Sequence, residues 1–146
     1  MKTKIYMDHA ATTPVRQEVL AEMLPYFTEH YGNASGIYAV AKESKKALEH
    51  ARAQVAEAIH AKPSEIYFTA GGSESDNMAL RGVAEAMQQK GNHIITTKIE
   101  HHAILHTCEY LEKHGFAVTY LDVDENGKIR MEDLKAAIRP ETILIS

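Results

Sequence analysis

Apolar positions recur along this chain with two periods, and the alternation between them lays out its elements. From Val15 to Leu24 the spacing is helical, with Val15, Val19, Leu20 and Met23 on one side. The Thr13-Pro14 step before them suits a cap followed by a proline at the first helical position. A turn-rich stretch, Tyr31-Gly32-Asn33-Ala34-Ser35-Gly36, leads to the longest helical pattern, from about Ala39 to His60. There Val40, Ser44, Ala47, Leu48, Ala51, Val55 and Ile59 lie three or four apart and predict one buried stripe. Lys62-Pro63-Ser64 ends it.

Beyond that point strand and helix patterns alternate. Ile66-Tyr67-Phe68-Thr69, short, β-branched and aromatic, predicts a strand. A helix follows from the Gly71-Gly72-Ser73 turn, carrying Met78, Leu80, Val83, Ala84 and Met87, and Gly91-Asn92 stops it. His93 to Thr97 predicts a second strand, Ala103 to Lys113 a helix closed by His114-Gly115, and Phe116 to Val123 a third strand. Met131 to Arg139 predicts a helix, and Thr142 to Ile145 a fourth strand. Strands alternating with helices point to an α/β fold with a mainly parallel sheet and flanking helices. No linker, repeat or low-complexity tract interrupts the chain, which reads as one continuous unit. It stops at Ser146, at the end of a strand with no covering helix after it, and so reads as cut off.

Composition narrows the class. At 146 residues, 45% hydrophobic and 25% charged, the chain is ordinary for a globular domain and unlike a disordered, collagenous or coiled-coil sequence. A net charge of −4 without a basic stripe argues against nucleic-acid binding. Its one cysteine, Cys108, excludes an internal disulfide. After Met1-Lys2-Thr3-Lys4, Asp8 and His9 interrupt any signal-peptide core, and no run is long enough to cross a bilayer. The expectation is a soluble, cytoplasmic protein with neither a nucleic-acid nor a membrane partner.

Three junctions carry candidate chemistry. Through Thr69-Ala70-Gly71-Gly72-Ser73-Glu74-Ser75-Asp76-Asn77 a strand passes two glycines into a helix. The first N–H groups of a helix lack intrahelical partners, and its dipole favours an anion there. Gly71 and Gly72 let an anion approach the backbone, and Ser73 adds a hydroxyl donor, which suits a phosphate. The plainer reading makes Ser73 a helix cap boxed with Asp76. Without Gly-Lys-Ser/Thr or GxGxxG a nucleotide is not favoured.

The second junction is Glu100-His101-His102-Ala103, at the carboxyl end of a strand, where ligands gather in parallel sheets. It should face the same rim as the glycine turn, and a histidine there can move protons or lie against a ring. His102 and His106 are spaced to share a metal, but two further ligands cannot be placed, and solvated histidines are the plainer reading. No metal is expected. The third, Asp122 to Asp133 around Asn126-Gly127, nearly fits a calcium loop. A strand precedes it where a helix is needed, so a tight turn is expected instead. Cys108 falls on the apolar face of its helix and reads as an inert packing residue.

Four blocks in this order resemble the N-terminal part of the cysteine desulfurases of the class-V aminotransferase family, the pyridoxal-phosphate enzymes that supply sulfur for iron–sulfur clusters. They are Ile5 to Pro14, Gly32-Asn33-Ala34-Ser35, Tyr67 to Asn77, and Thr97 to Leu105. The resemblance implies a fold type I transferase. Residues 1–60 would be an N-terminal arm and helices, and residues 61–146 the first part of the domain that binds pyridoxal 5′-phosphate. Gly72 and Ser73 would hold the cofactor phosphate, with Ser73 where the family often has threonine. His101 would stack on the pyridine ring, and His102 would not. The chain departs from the family at Gly36-Ile37-Tyr38, where a histidine is usual, and at Gly72, which replaces a common alanine.

The resemblance also implies what these residues lack. The Schiff-base lysine, the acid facing the pyridine nitrogen and the persulfide cysteine all fall later in the family, beyond Ser146. This segment therefore carries no catalytic residue of its own and is expected to be inactive alone. It further implies that later strands insert between the first strand and the rest, and that the last strand is separated from the second and third by a missing one. The isolated segment would then fold poorly or swap with a partner. The parent would convert L-cysteine to L-alanine and an enzyme-bound persulfide, as a homodimer handing sulfur to an acceptor protein, either a scaffold or a tRNA-thiolation enzyme. The rival readings are a selenocysteine lyase or aminotransferase of the same class, and a non-catalytic phosphate- or calcium-binding fragment.

Overall fold

The computed structural model describes residues 5–146; Met1-Lys2-Thr3-Lys4, read above for a leader, lies outside the described residues. The chain forms two compact units, the first ending at Tyr67 and the second running Phe68–Ser146.

The first unit is helical: α1 (Gln17–Met23), α2 (Pro25–Thr28) and α3 (Ala39–Ala58), then a short 3₁₀ turn (Pro63–Glu65). The helix expected from Val15 to Leu24 is α1; Pro25 sits at the first position of α2, where a missing N–H costs nothing, and opens a further turn of helix that the pattern did not predict. The loop before α3 is tied down by Ser44, whose Oγ donates to the His30 carbonyl at 3.1 Å. Gly32 lies so close to the Val40 carbonyl that a Cβ has no room. At the other end His60 turns left-handed (φ 56°), and the N–H groups of His60 and Ala61 bond back to Glu57 and Ala56. That double bond is a Schellman stop.

The expected burial of the α3 stripe is not what the structure shows. Leu48 is 38% exposed, Val55 40% and Ile59 62%, while the fully buried positions of the helix are the alanines Ala41 and Ala56. The helical period is right, but among the described residues little covers that face. Ile66-Tyr67-Phe68-Thr69 also departs from expectation. Ile66 is extended (φ −98°, ψ 126°), yet the segment joins no ladder among the described residues and so is not a strand. β-propensity favours an extended backbone, but a strand also needs a neighbour to bond.

The second unit runs α4 (Gly72–Met87), β1 (His93–Thr97), α5 (His102–Lys113), β2 (Ala117–Leu121), α6 (Met131–Ala137) and β3 (Thr142–Ile145). The sheet is wholly parallel, ordered β2-β1-β3. The last strand is therefore not separated from the others by a gap, as the resemblance implied, but pairs directly with β1. His93 stands opposite Thr142 and Ile94 opposite Leu144, with an irregularity between, and Ser146 N–H donates to the Ile95 carbonyl. The pairing satisfies both sides of β1, which explains why four of its five residues are buried.

Leu80, Ala84, Ile94, Ile104, Cys108 and Leu111 make the core, with α4 packed beside α5 and against β3. Each leucine or isoleucine among them stabilises by roughly 1.5–3 kcal/mol when fully buried. Cys108 is wholly buried, as expected, and burial, with Glu112 and Glu100 adding, pushes its thiol up to about 11, so it stays protonated and unreactive. Buried His93 clasps the sheet: its Nδ1 lies 2.8 Å from Thr142 Oγ1 on β3, and its Nε2 2.9 Å from Thr119 Oγ1 on β2. Helix α5 ends in a second Schellman stop at Gly115 (φ 92°), with Phe116 N–H on the Leu111 carbonyl.

The Asp124 to Lys128 turn is tight, as expected. Asp124 Oδ1 accepts from Asn126 N and Lys128 N, both at 2.9 Å, and Gly127 takes φ 75°. Asp133, the last position of the calcium-like pattern, pairs with Arg130 at 2.7 Å. Both carboxylates already have partners, so calcium is not favoured. No helix among the described residues is long and apolar enough to cross a membrane.

Candidate functional site

Gly71, the residue before helix α4, is fully extended (φ 171°, ψ 174°) and has no side chain with which to cap it. The first N–H groups of the helix are thus left without a side-chain cap. The turn before it is held by side chains of the first helical turn: Glu74 Oε2 accepts from Ala70 N at 2.6 Å, and Thr69 Oγ1 lies 2.6 Å from Ser75 Oγ. Ser73 is the second residue of the helix and not its cap, which removes the plainer reading of a box with Asp76. A Cβ built on Gly71 or Gly72 meets nothing within 4 Å, so the backbone there is open to approach.

His101 caps α5 from the other side of the same cleft. Its Nδ1 accepts from Ala103 N at 3.1 Å, which fixes the ring and leaves the proton of the neutral imidazole on Nε2. Glu100 is turned away, its Oε1 accepting from Thr97 Oγ1 at 3.1 Å. Ser73 and His101 line one cleft of about 400 Å³ in the second unit. The structure thus brings together two of the three residues singled out in the sequence, with Gly72 next to one of them.

The cleft has further walls: His102 and His106, weighed above as a metal pair, and Asn77, Arg81 and Tyr110, which were not singled out. Ser73, Asn77 and Arg81 follow one another at four-residue spacing on α4, and His102, His106 and Tyr110 do so on α5. Asn77 Nδ2 donates to the Ser73 carbonyl at 2.9 Å, and the His102 and His106 rings stack at 5.3 Å. The Arg81 guanidinium lies 4.6 Å above the Tyr110 ring, which in turn stacks on His114 at 3.9 Å. No group of three or more metal-ligating side chains suited to a metal ion occurs among the described residues.

An uncapped helix mouth, glycines without steric cover, a serine lining the cleft and a fixed imidazole fit a phosphorylated ring compound. They match pyridoxal 5′-phosphate in chemistry: an anion for the helix mouth and a flat ring for His101.

Known proteins resemble the chain along its whole length. Cysteine desulfurase IscS of Clostridium botulinum (strain Kyoto / Type A2) is 58% identical over all 146 residues, and IscS of Methanosarcina thermophila 57% over 142. The chain spans 37% and 35% of the length of these two relatives. Among solved structures, a NifS-like protein superposes with a TM-score of 0.92 at 39% identity, over 98% of this chain and 39% of that one. A structure of SspA in complex with cysteine gives 0.88 at 42%, over 96% and 40%. The profile of the aminotransferase class-V family matches residues 5–146, and the chain belongs to that family.

Proposed function

We propose that the chain is the N-terminal part of a pyridoxal-phosphate-dependent cysteine desulfurase, converting L-cysteine to L-alanine and an enzyme-bound persulfide. The observation that carries this is the meeting of Ser73 and His101 on one cleft beside the open Gly71-Gly72 turn. It is supported by relatives above 50% identity that bear the desulfurase name, and by a structural neighbour whose complex is with cysteine. On this reading residues 61–146 are the first part of the cofactor-binding domain and residues 1–60 its N-terminal arm. The working protein is a cytoplasmic homodimer that passes sulfur to an acceptor protein.

In this arrangement Gly72 and Ser73 receive the phosphate through backbone N–H groups and the hydroxyl. Asn77, bonded to the Ser73 carbonyl, holds the first helical turn in place. His101 offers its ring face to the pyridine, and its Nε2 carries the proton available for exchange at the site. When bound, pyridoxal phosphate supplies the electron sink for bond breaking at the substrate carbon. The lysine, acid and cysteine that complete the chemistry belong to the portion of the relatives that this chain does not span.

The test is made on the full-length protein. Cofactor affinity is measured by absorbance, and alanine and sulfide release are followed with L-cysteine, L-selenocysteine and other amino acids. Ser73→Ala removes one hydrogen bond to a charged group, worth about 1.5–3 kcal/mol, and is expected to weaken cofactor binding about tenfold or more. A protein that binds no pyridoxal phosphate, or that releases alanine only from selenocysteine, overturns the reading.

A further inference from the structure

The cleft continues past the residues assigned to the cofactor, and its outer half has a charge character of its own. Nine residues line it, and none is acidic: Arg81 and the imidazoles of His101, His102 and His106 stand among neutral groups. This lies in a chain of net charge −4. A dianionic phosphate approaching such a chain is repelled at long range unless a local field of the other sign draws it in.

Arg81 is placed to supply that field. It follows Ser73 by eight residues on α4, about 12 Å of helix axis at roughly 1.5 Å per residue, and a helical side chain leans toward the N-terminus. Its guanidinium is held over the Tyr110 ring at 4.6 Å. Tyr110 itself is braced by His114, whose Nδ1 lies 2.7 Å from the Tyr110 carbonyl oxygen. A cation held against an aromatic face at the rim of a cleft is pre-placed, and Arg81 is not a free surface charge searching many rotamers. Two carboxylates oppose it. Glu85 lies 4.0 Å from Arg81 in an exposed pair, of the sort that contributes little in water. Glu74 sits in the first turn of α4, its carboxylate occupied by Ala70 N–H.

We propose that Arg81 is a capture residue: its field draws the phosphate of pyridoxal 5′-phosphate into the cleft at long range, so that its contribution to affinity enters through the association rate. The inference rests on the cofactor reading above and assigns to Arg81 the association step alone. In water, two phosphate charges about 10 Å from one cation change the encounter rate by about fourfold, and salt removes the effect because the Debye length is about 10 Å at 0.1 M.

The experiment is stopped-flow association of pyridoxal 5′-phosphate with the cofactor-free full-length protein, at about 10 mM and about 300 mM salt. Arg81→Gln is expected to slow association about fourfold at low salt and hardly at all at high salt, with dissociation unchanged; Arg81→Lys restores most of the rate. Glu85→Gln is expected to speed association and keeps the test decisive should the arginine variant fold poorly. Pyridoxal, which has no phosphate, should associate at the same rate with all four proteins. Equal phosphate association for wild type and Arg81→Gln overturns the capture role and leaves the cofactor reading standing. A change confined to dissociation also overturns it, because Arg81 would then be a seat and not a guide. A wild-type protein that binds no pyridoxal phosphate overturns both readings, and the three results are distinct.

Discussion

His93 shows how one side chain ties chemistry to stability. It is buried between two threonine hydroxyls on the neighbouring strands, and burial lowers its pKa below the ordinary histidine value, with Arg139 adding and Glu141 partly offsetting. The neutral ring is the folded form. As pH falls through about 6.5 the unfolded chain takes up a proton that the folded sheet resists, so this contribution is complete above about 6.5 and is lost as pH drops through the lowered folded value. Urea unfolding from pH 7.5 to 5.0 should therefore show a steeper loss of stability in the wild type than in His93→Gln, whose side chain does not titrate. Parallel curves would refute the assignment. In the sequence, His93 was only the first residue of a strand; its role depends on Thr119 and Thr142, which only the pairing of strands brings to it. Ser73 and His101, which the structure places on one cleft, could be singled out because a helix mouth and a strand end are written in consecutive residues. Arg81 and Tyr110 had a readable signal, the four-residue spacing from Ser73 and from His102, but a polar helix face looks the same whether it meets solvent or a cleft.

The same division between local and non-local information appears among the elements. Helices α3, α4 and α5 fall close to where periodicity places them, and both Schellman stops lie where the sequence signalled an end. One strand expectation and one pairing expectation failed for one reason. Ile66 to Thr69 has the composition of a strand but no neighbour, whereas Thr142 to Ile145 has a neighbour that the resemblance denied it. An extended backbone is written in composition, whereas strand partnership depends on residues as far as about fifty positions away. The β1–β3 junction is tight enough to test. His93 N–H donates to the Glu141 carbonyl at 2.9 Å, and Gly91 lies against that same carbonyl with no room for a Cβ. Gly91→Ala must push the two segments apart, and overpacking of this sort typically costs about 1–3 kcal/mol. The denaturation midpoint should fall accordingly, with the helical circular dichroism unchanged at low denaturant. An alanine variant as stable as the wild type would mean that β3 does not press on Gly91.

At the scale of the molecule the two units differ in how well they cover their apolar surface. In the second, β1 is bonded on both sides and roofed by α4 and α5, and Ile94 and Ile95 are wholly buried. In the first, α1 and α2 contain no buried residue, and α3 leaves Leu48, Val55 and Ile59 partly in water. Periodicity marked that stripe as a burying face, and it has the right shape for one; sequence patterning says that a face is apolar but not what covers it. The expected poor folding of this segment alone is therefore better stated unit by unit. Local opening is cheapest where few apolar contacts must be broken, and opening free energies run from near zero up to the global value. Hydrogen exchange on the 146-residue chain should find the amides of Ile94 to Thr96 slowest, and those of α1 and α2 faster by about a thousandfold or more, a gap of about 4 kcal/mol in opening free energy. Each unit is then its own test: β1 amides that exchange as fast as those of α1 would show that the sheet does not hold without further chain. Slow exchange throughout α1 would show that its apolar face is covered in solution. Protection that rises with protein concentration would identify that cover as a second copy of the chain.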